Sequence, residues 1–475
     1  MKVNGLACFC KKHKLVVGLA ILTAMIMVSF IFEPFWYATS AMVVLFFVTC
    51  SFQEQICSIL YLSLFSGVSQ IYIVAIIFCF LHTFVRYIID LKKKRKPFFA
   101  KPFILTTVFL ILFTAIHGKI DIEGFYNWAL VFCLFYFVYL LFIYYKEINI
   151  KRSFRCLFVA VVVSCAIAAI VYPTKLITSV VMIDNFKVHR LRLFTMNINH
   201  LAMSCLFFIA YKIYDTMHNL MKNTKDLSLL KDKQVWINVA EVAVCFVVGL
   251  LTMSKAFMVM ICFFALYVLI FLIYKLKAKS LYIIIPFLII CGILGFVFRD
   301  FVMKLFSRFF IYTSLESKIS IIFTGRTDIW QTYRDAIRGS IINMLFGVGL
   351  LTKDIVAIGP HNVLIYFIYR FGFVGLIMMC TICYLYFKSS SMKIKITYTN
   401  CLLFLTYLIL ALEEMIFSDR FFLYLVFGII LMLVPKQKSE EILIEDKSKN
   451  VGESKLKNND ANIELEKEQV KEENS

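Results

Sequence analysis

The feature that most limits what this chain can fold into is a succession of apolar runs, each close to the length of a bilayer's hydrocarbon core. A spanning helix needs about 20 apolar residues, because without water its backbone N–H and C=O groups must satisfy one another. Such runs fall near 15–32, 35–50, 56–69, 71–90, 102–117, 125–145, 154–173, 198–214, 235–253, 256–274, 280–298, 362–388, 396–412 and 419–434. The two runs within 35–69 are short and fit either two crossings or one re-entrant hairpin. About 12 to 14 transmembrane helices are therefore expected, with the same parity either way. With 61% of the residues hydrophobic and 17% charged, the expected fold class is an all-α polytopic membrane protein, and water-soluble classes are excluded.

The first apolar run follows Lys11-Lys12-His13-Lys14 and has no small-residue cleavage site after it, so it is expected to stay as a first helix. Of the 15 cysteines, Cys8 and Cys10 precede the first run and the others fall inside apolar runs. Their expected role is that of small core residues of membrane helices. Cys380 and Cys383 have redox or metal-site spacing, but they lie in an apolar helix with no second pair.

Charge orients the chain. Basic loops resist translocation, so Lys92-Lys93-Lys94-Arg95-Lys96 is expected in the cytoplasm. Counting runs from there places the amino terminus, Lys146–Arg155, Lys275–Lys279, Lys388–Lys395 and the tail from Lys436 on the same side. A membrane domain over 1–434 is expected. Residues 435–475, rich in Glu, Lys, Asn and Ser without an apolar face, are expected to form a disordered charged cytoplasmic tail. The same count puts two long loops outside, 174–197 and 299–361. They hold Arg190, Arg192, Arg326 and Arg334, and Lys255 sits in a tight outward turn. Cations retained there fit an anion site, or contact with lipid headgroups.

The second loop is a polar island in an apolar chain. It contains Thr324-Gly325-Arg326-Thr327-Asp328-Ile329-Trp330, then Gly347-Val348-Gly349, then His361-Asn362, with Gly372 and Gly375 beyond. If 327–339 is helical, Arg326, Trp330 and Arg334 share a face or nearly so, and Thr324 or Thr327 caps the start. An indole flanked by guanidiniums suits a sugar ring beside a phosphate. The same pattern suits a helix lying on the membrane surface with Trp330 as its interface anchor. His361 titrates near neutrality and could take a proton from a hydroxyl, or serve as an interface residue. Arg370 lies deep enough in the next run that it should face a cavity or partner, unless 362–371 is a separate outer helix ending at Gly372. Glu241, inside another run, is expected to pair with an Arg or Lys. The chain has no paired carboxylates, metal-ligand cluster or phosphate-cradling Gly loop. This weighs against a metal-dependent transferase or an ATPase, and neither metal nor cofactor is expected.

Gly-Arg-x3-Trp, Gly-Val-Gly, His-Asn-x-Leu and Gly-x2-Gly, in that order, resemble the hallmark region of the O-antigen ligase and O-antigen (Wzy-type) polysaccharide polymerase superfamily. Arg190 followed by Asn197-Ile198-Asn199 resembles that family's Arg and Asn-Pro-Asn, and Met253-Ser254-Lys255 its outward Ser-Arg turn. Ile198 stands where the family has proline and Lys255 where it has arginine, and the glycine after Arg190 is missing.

The resemblance implies a GT-C-like architecture with a partly helical extracytoplasmic loop. It also implies a metal-independent, inverting glycosyltransferase of the bacterial inner membrane, acting at the outer leaflet in O-antigen, capsule or other polysaccharide biosynthesis. The donor is an oligosaccharide on undecaprenyl pyrophosphate. By resemblance, Arg190 and Arg326 hold the pyrophosphate and His361 positions or deprotonates the acceptor hydroxyl. Arg192, Lys255, Trp330, Arg334 and Asn362 are expected to bind substrate beside them. Besides membrane lipids, the implied partners are a chain-length regulator and a flippase, with no nucleic acid. A polymerase is the favoured member. A ligase moving glycan to the lipid A core and a flippase or other transporter of lipid-linked oligosaccharide are the alternatives. A transporter predicts internal repeats and charges along a central pathway, whereas here the charges gather in the outer loops.

Overall fold

The computed structural model describes residues 13–68, 71–115, 122–171, 178–183, 186–195, 197–222, 233–297, 299–300, 303, 326–349, 362–389, 392–411 and 421–435. In chain order these form α1 (Lys14–Ile31), α2 (Phe35–Thr49), α3 (Phe52–Leu62), α4 (Ile71–Lys92), α5 (Ala100–Ala115), α6 (Ile122–Ile143) and α7 (Ile150–Val171). A hairpin of β1 (Thr178–Ile183) and β2 (Phe186–Leu191) follows. Then come α8 (Ile198–Lys222), α9 (Lys233–Leu251), α10 (Lys255–Leu276), α11 (Leu281–Val297), α12 (Arg326–Arg338), α13 (Ile341–Phe346) and α14 (Val363–Ser389). The chain ends with β3 (Met392–Ile394), α15 (Cys401–Ala411), α16 (Phe421–Met432) and β4 (Leu433–Pro435).

Among the described residues, six helices are long and apolar enough to cross a bilayer: α1, α4, α7, α9, α10 and α14. Shorter apolar helices accompany them, among them α2, α5, α15 and α16. The protein is a mostly helical, polytopic membrane protein. It divides into two compact units, the helical body (1–386 and 396–432) and a small unit (387–395 and 433–475). In the small unit β3 pairs antiparallel with β4, Met392 opposite Pro435. The tail expected to be disordered lies outside the described residues beyond Pro435.

Polar contacts mark the two ends of the helical body. At one end, Lys14 donates to the Thr49 carbonyl and Gln53 donates to Ser153 Oγ (3.1 Å). Arg86 forks onto Glu147 with bonds of 2.9 and 3.0 Å, and Lys96 lies 3.6 Å from the same carboxylate. This end gathers the starts of α1, α3 and α7 and the ends of α2, α4 and α6, and is called here the basic end. At the other end, Gly67 N–H donates to the Phe194 carbonyl (2.7 Å), just before α8.

These ends settle the path of 35–69. α3 starts at the basic end, where Ser51 and Glu54 form a reciprocal capping box. It continues through a 3-10 turn at Ser63–Phe65 to Gly67 at the opposite end. The segment therefore runs from one end of the helical body to the other. It is short because it is the core of the bundle: residues 55–66 are buried on every side. Its polar groups are met by other helices. Gln55 donates to the Phe47 carbonyl (2.8 Å) and bonds His82 Nδ1 (2.9 Å), and Tyr61 bonds Thr23 (2.8 Å). Stacked rings join the later helices to this core, Phe154 on Tyr211 and Phe207 on Tyr424 with centroids 4.3 and 4.2 Å apart.

The expected basic partner of Glu241 is Lys212, paired with it across α8 and α9. Lys212 also donates to Asn238 Oδ1 (3.1 Å), and Asn238 donates to Thr216 Oγ1 (3.2 Å). A charge held in an apolar body is tolerated when its counter-ion and hydrogen bonds are in place.

Within the loop expected at 174–197 the structure adds a β-hairpin to the helices, with Ile183 paired to Phe186 and Thr178 to Leu191. Its β-branched runs on either side of Asp184-Asn185 are a hairpin signal, and a short ladder outside an apolar run needs no helix to satisfy its backbone. The cysteines are not uniformly core residues. Cys57, Cys79, Cys205 and Cys245 are buried, whereas Cys262, Cys380 and Cys383 face outward. A thiol is apolar enough for a helix surface exposed to lipid.

Lys212→Met should leave Glu241 without its counter-ion and cost about 3–5 kcal/mol. In detergent the unfolding temperature should drop clearly, and a second change, Glu241→Leu, should restore most of the loss. An unchanged unfolding temperature for Lys212→Met would show that the pair is not sealed from water.

Candidate functional site

The first group of candidate residues lies at the end opposite the basic one, where β2, the start of α8 and the α9–α10 turn meet. Arg190 is half-buried at the end of β2, and its Nε donates to the Thr252 carbonyl (2.9 Å). Thr252 opens the turn into α10. Its hydroxyl donates to the Gly249 carbonyl (2.6 Å), and Met253 takes a left-handed conformation (φ 49°). Buried Ser254 follows, and Lys255 is the first residue of α10.

Arg192 Nε donates to the Thr195 carbonyl (2.7 Å), and Thr195 Oγ1 lies 2.7 Å from the Arg192 carbonyl and 2.8 Å from that of Asn197. This knot presses on α3, since a Cβ at Gly67 would lie 2.5 Å from the Thr195 carbonyl oxygen. Asn197 Oδ1 accepts from Asn199 N–H (3.1 Å) and so caps α8. Ser254 Oγ lies 3.3 Å from Asn199 Oδ1, closing the group. Both arginines are held by Nε, which fixes the plane of each guanidinium fork.

The second group is built on α12, α13 and α14. Asn362 is buried and accepts from Ile365 N–H (3.0 Å), so it is the N-cap of α14. The helix breaks at Gly372 (φ 60°, ψ −169°), which makes 363–371 a separate helical segment, one of the two arrangements the sequence allowed. A break in an apolar helix leaves carbonyls in need of donors. Gly347-Val348-Gly349 supplies them: Val348 N–H donates to the Tyr369 carbonyl (2.8 Å) and Gly349 N–H to that of Arg370 (3.1 Å).

The contact is close on both sides. A Cβ at Gly347 (φ 70°) would lie 2.4 Å from the Arg370 carbonyl carbon, and one at Gly372 would lie 2.3 Å from the Leu345 carbonyl oxygen. Arg370 is 1% exposed. Its Nη1 donates to the Gly349 carbonyl (3.2 Å), and its guanidinium lies over the rings of Tyr366 and Tyr369, 5.3 and 5.5 Å from their centroids. Tyr369 meets Tyr333 of α12 edge-on at 4.8 Å.

The helix at α12 starts at Arg326, so Thr327 lies inside it and is not its cap; Thr324 lies outside the described residues. The face turned to the protein centres on buried Tyr333. Trp330 is half-buried and Arg334 exposed, the second turned about 40° further from that face. The side chain of Arg326 and all of His361 lie outside the described residues. The structure thus brings Arg190, Arg192 and the Ser254-Lys255 turn into one group. Asn362 sits in the other, and Arg334 points out of it. Thr195, Thr252, Tyr333 and Tyr369 build these groups without any signal in the sequence. Thr252, Tyr333 and Tyr369 work through carbonyl or ring contacts made far along the chain, whereas Thr195 ties its own local knot. Arg370 did give a signal, as a charge inside an apolar run.

No family model, curated protein or solved structure matches this chain.

Gly347→Ala and Gly372→Ala should each be strongly destabilising, from backbone strain of about 1–3 kcal/mol and a collision with main-chain atoms. Gly339→Ala, whose Cβ would come no nearer than 3.4 Å to a neighbour, should be tolerated. Thermal unfolding of the three purified variants checks this, and equal stability of all three would contradict the close approach.

Proposed function

We propose that this protein is a surface-polysaccharide polymerase, an inverting, metal-independent glycosyltransferase using oligosaccharides linked to undecaprenyl pyrophosphate. The observation that carries this is the bond from Arg190 to the Thr252 carbonyl. Arg190 and the Met253-Ser254-Lys255 turn are the two segments whose resemblance to the ligase and polymerase superfamily lies furthest from the polar island. Sixty-two residues separate Arg190 from Thr252, yet the two segments form one cationic group. That group lies at the end opposite Lys14 and Lys96, as an extracytoplasmic site would if the basic loops are cytoplasmic.

In this reading the membrane is the bacterial inner membrane, with both termini in the cytoplasm. The acceptor hydroxyl attacks the anomeric carbon of the donor sugar. The new glycosidic C–O bond forms as the bond to pyrophosphate breaks, and the configuration inverts. His361 takes the hydroxyl proton. The pyrophosphate leaves on its lipid with an added negative charge, which Arg190 and Arg326 stabilise with Lys255 and Arg192 nearby. Fixed cations suit this task because their orientation is set before the charge develops. The Nε anchors of Arg190 and Arg192 are that kind of preorganisation. Asn362 orders the start of α14 beside His361 through its cap.

Arg190→Ala and His361→Ala should each reduce polymer synthesis by about two to three orders of magnitude while the protein is still made and inserted. Arg190→Lys should also fail, because an ammonium cannot hold the Thr252 carbonyl and present a fork together. Envelope glycans of strains carrying each variant provide the measurement, and wild-type chain lengths would sink the assignment. A deletion strain separates the classes. A single repeat on the acceptor supports the polymerase. Bare acceptor with accumulated lipid-linked polymer indicates a ligase, and a precursor trapped at the inner leaflet indicates a transporter.

A further inference from the structure

The short helix α13 turns its apolar side chains outward. Ile341 and Ile342 are 73% and 60% exposed, Met344 and Leu345 are exposed as well, and no residue of this helix is buried. Ile377, on the outer face of α14, is 66% exposed. Side chains of α13 are thus as uncovered as those of a helix apolar enough to span the bilayer. In water such a patch is unfavourable, at about 25 cal/mol for each Å² left wet, and exposed clusters of this kind mark contact sites.

The position of α13 is fixed. Asn343 Nδ2 donates to the Ala336 carbonyl of α12 (3.3 Å), and the Leu345 backbone lies against Gly372. Gly372 is nine residues past Val363, about 14 Å along α14. Leu364 and Phe373, exposed on that stretch, are apolar. α13 is therefore held beside an apolar helix surface and shares its surroundings.

The helix before it has a divided surface. Beyond half-buried Trp330, Arg334 and exposed Arg338 follow one another at about 40° steps around α12. The exposed acids Asp328 and Asp335 form a separate stripe, about 60° or more beyond Arg338. An aromatic and cationic edge thus leads, over the turn at Gly339-Ser340, into four outward apolar side chains. A phosphate joined to acyl chains has the same order of polarity. A water-soluble partner offers no such match, and a protein would have to bring both a phosphate-like anion and a greasy surface.

We propose that α13 is embedded in the hydrocarbon margin of the bilayer and that the Trp330–Arg334–Arg338 edge of α12 binds the phosphate groups of anionic phospholipids. The polar loop is then moored to the membrane as well as to α14. Trp330 and Arg334, expected from the sequence to hold substrate, hold lipid instead. The inference does not depend on the transferase reading.

The test uses the full-length protein with benzoyl-phenylalanine placed at position 342, or at 377 as the lipid-facing reference. Each is reconstituted in nanodiscs of equal parts phosphatidylglycerol and phosphatidylcholine, irradiated, and analysed by mass spectrometry of the cross-linked peptides. The expected result is phospholipid adducts at 342 in a yield similar to that at 377, with phosphatidylglycerol enriched over the bulk ratio at 342 alone. Arg334→Gln with Arg338→Gln should remove the enrichment at 342 and leave 377 unchanged. Should that variant not fold, the enrichment at 342 against 377 in the parent protein decides by itself. Absence of lipid adducts at 342 while 377 is labelled would overturn the proposal, as would adducts only to protein. Lipid adducts at the bulk ratio would overturn the phosphate site.

Discussion

A helix that breaks in an apolar environment exposes carbonyls that water cannot reach, and much of this structure's outer architecture follows from how that need is met at Gly372. The donors come from Gly347-Val348-Gly349, so the break in α14 and the end of α13 are a single hydrogen-bonded unit. Both sides must be glycine, because each backbone lies where the other's side chain would be. Arg370 seals the junction, its guanidinium resting on two tyrosine rings and the Gly349 carbonyl. Through Tyr369 and Tyr333 the junction also sets the face that α12 turns to the protein. A polar loop that would otherwise be tethered only at its ends is thereby docked on a membrane helix.

The other candidate group obeys the same constraint by different means. Around Arg190 no long helix is broken. A tight knot at 192–197 and a left-handed turn at Met253 bring main-chain carbonyls to face arginine side chains. Carbonyls that guanidiniums occupy do not need water, and each Nε bond fixes the plane of its guanidinium. Within the bundle, α3 shows the cost of full burial: Gln55 and Tyr61 are answered by other helices, and Ser58 by a carbonyl of α3 itself. Stability and site geometry thus come from one rule, that polar atoms away from water find partners in the protein.

Much of the helical layout was legible in the sequence because lipid imposes length and apolarity on any helix that crosses it. The helices at Lys14–Ile31, Ile71–Lys92 and Lys255–Leu276 fall on the apolar runs within a few residues. Arg370 and Glu241 were legible as charges needing partners, since an apolar run makes a charge conspicuous. The hairpin at Thr178–Leu191 has only a short signal, in a loop whose charges dominate its sequence. The cap that Asn362 places on α14 was not legible, because it depends on where the helix starts. That Trp330 is half-buried and Arg334 exposed turned on where Tyr333 packs, which helical spacing alone does not contain.

The sequence by itself determined that this chain lives in a membrane, roughly where its helices lie and which loops carry its cations. Those properties depend on transfer free energies and charge, which are local and additive along the chain. Only the tertiary structure decided that Arg190 meets the turn at Thr252, that Gly347 and Gly372 interlock, that α3 is the core of the bundle, and that α13 faces outward. Each of these is a contact between segments far apart in sequence, made through backbone atoms that every residue possesses. No pattern of side chains along the chain specifies which carbonyl a distant donor will find.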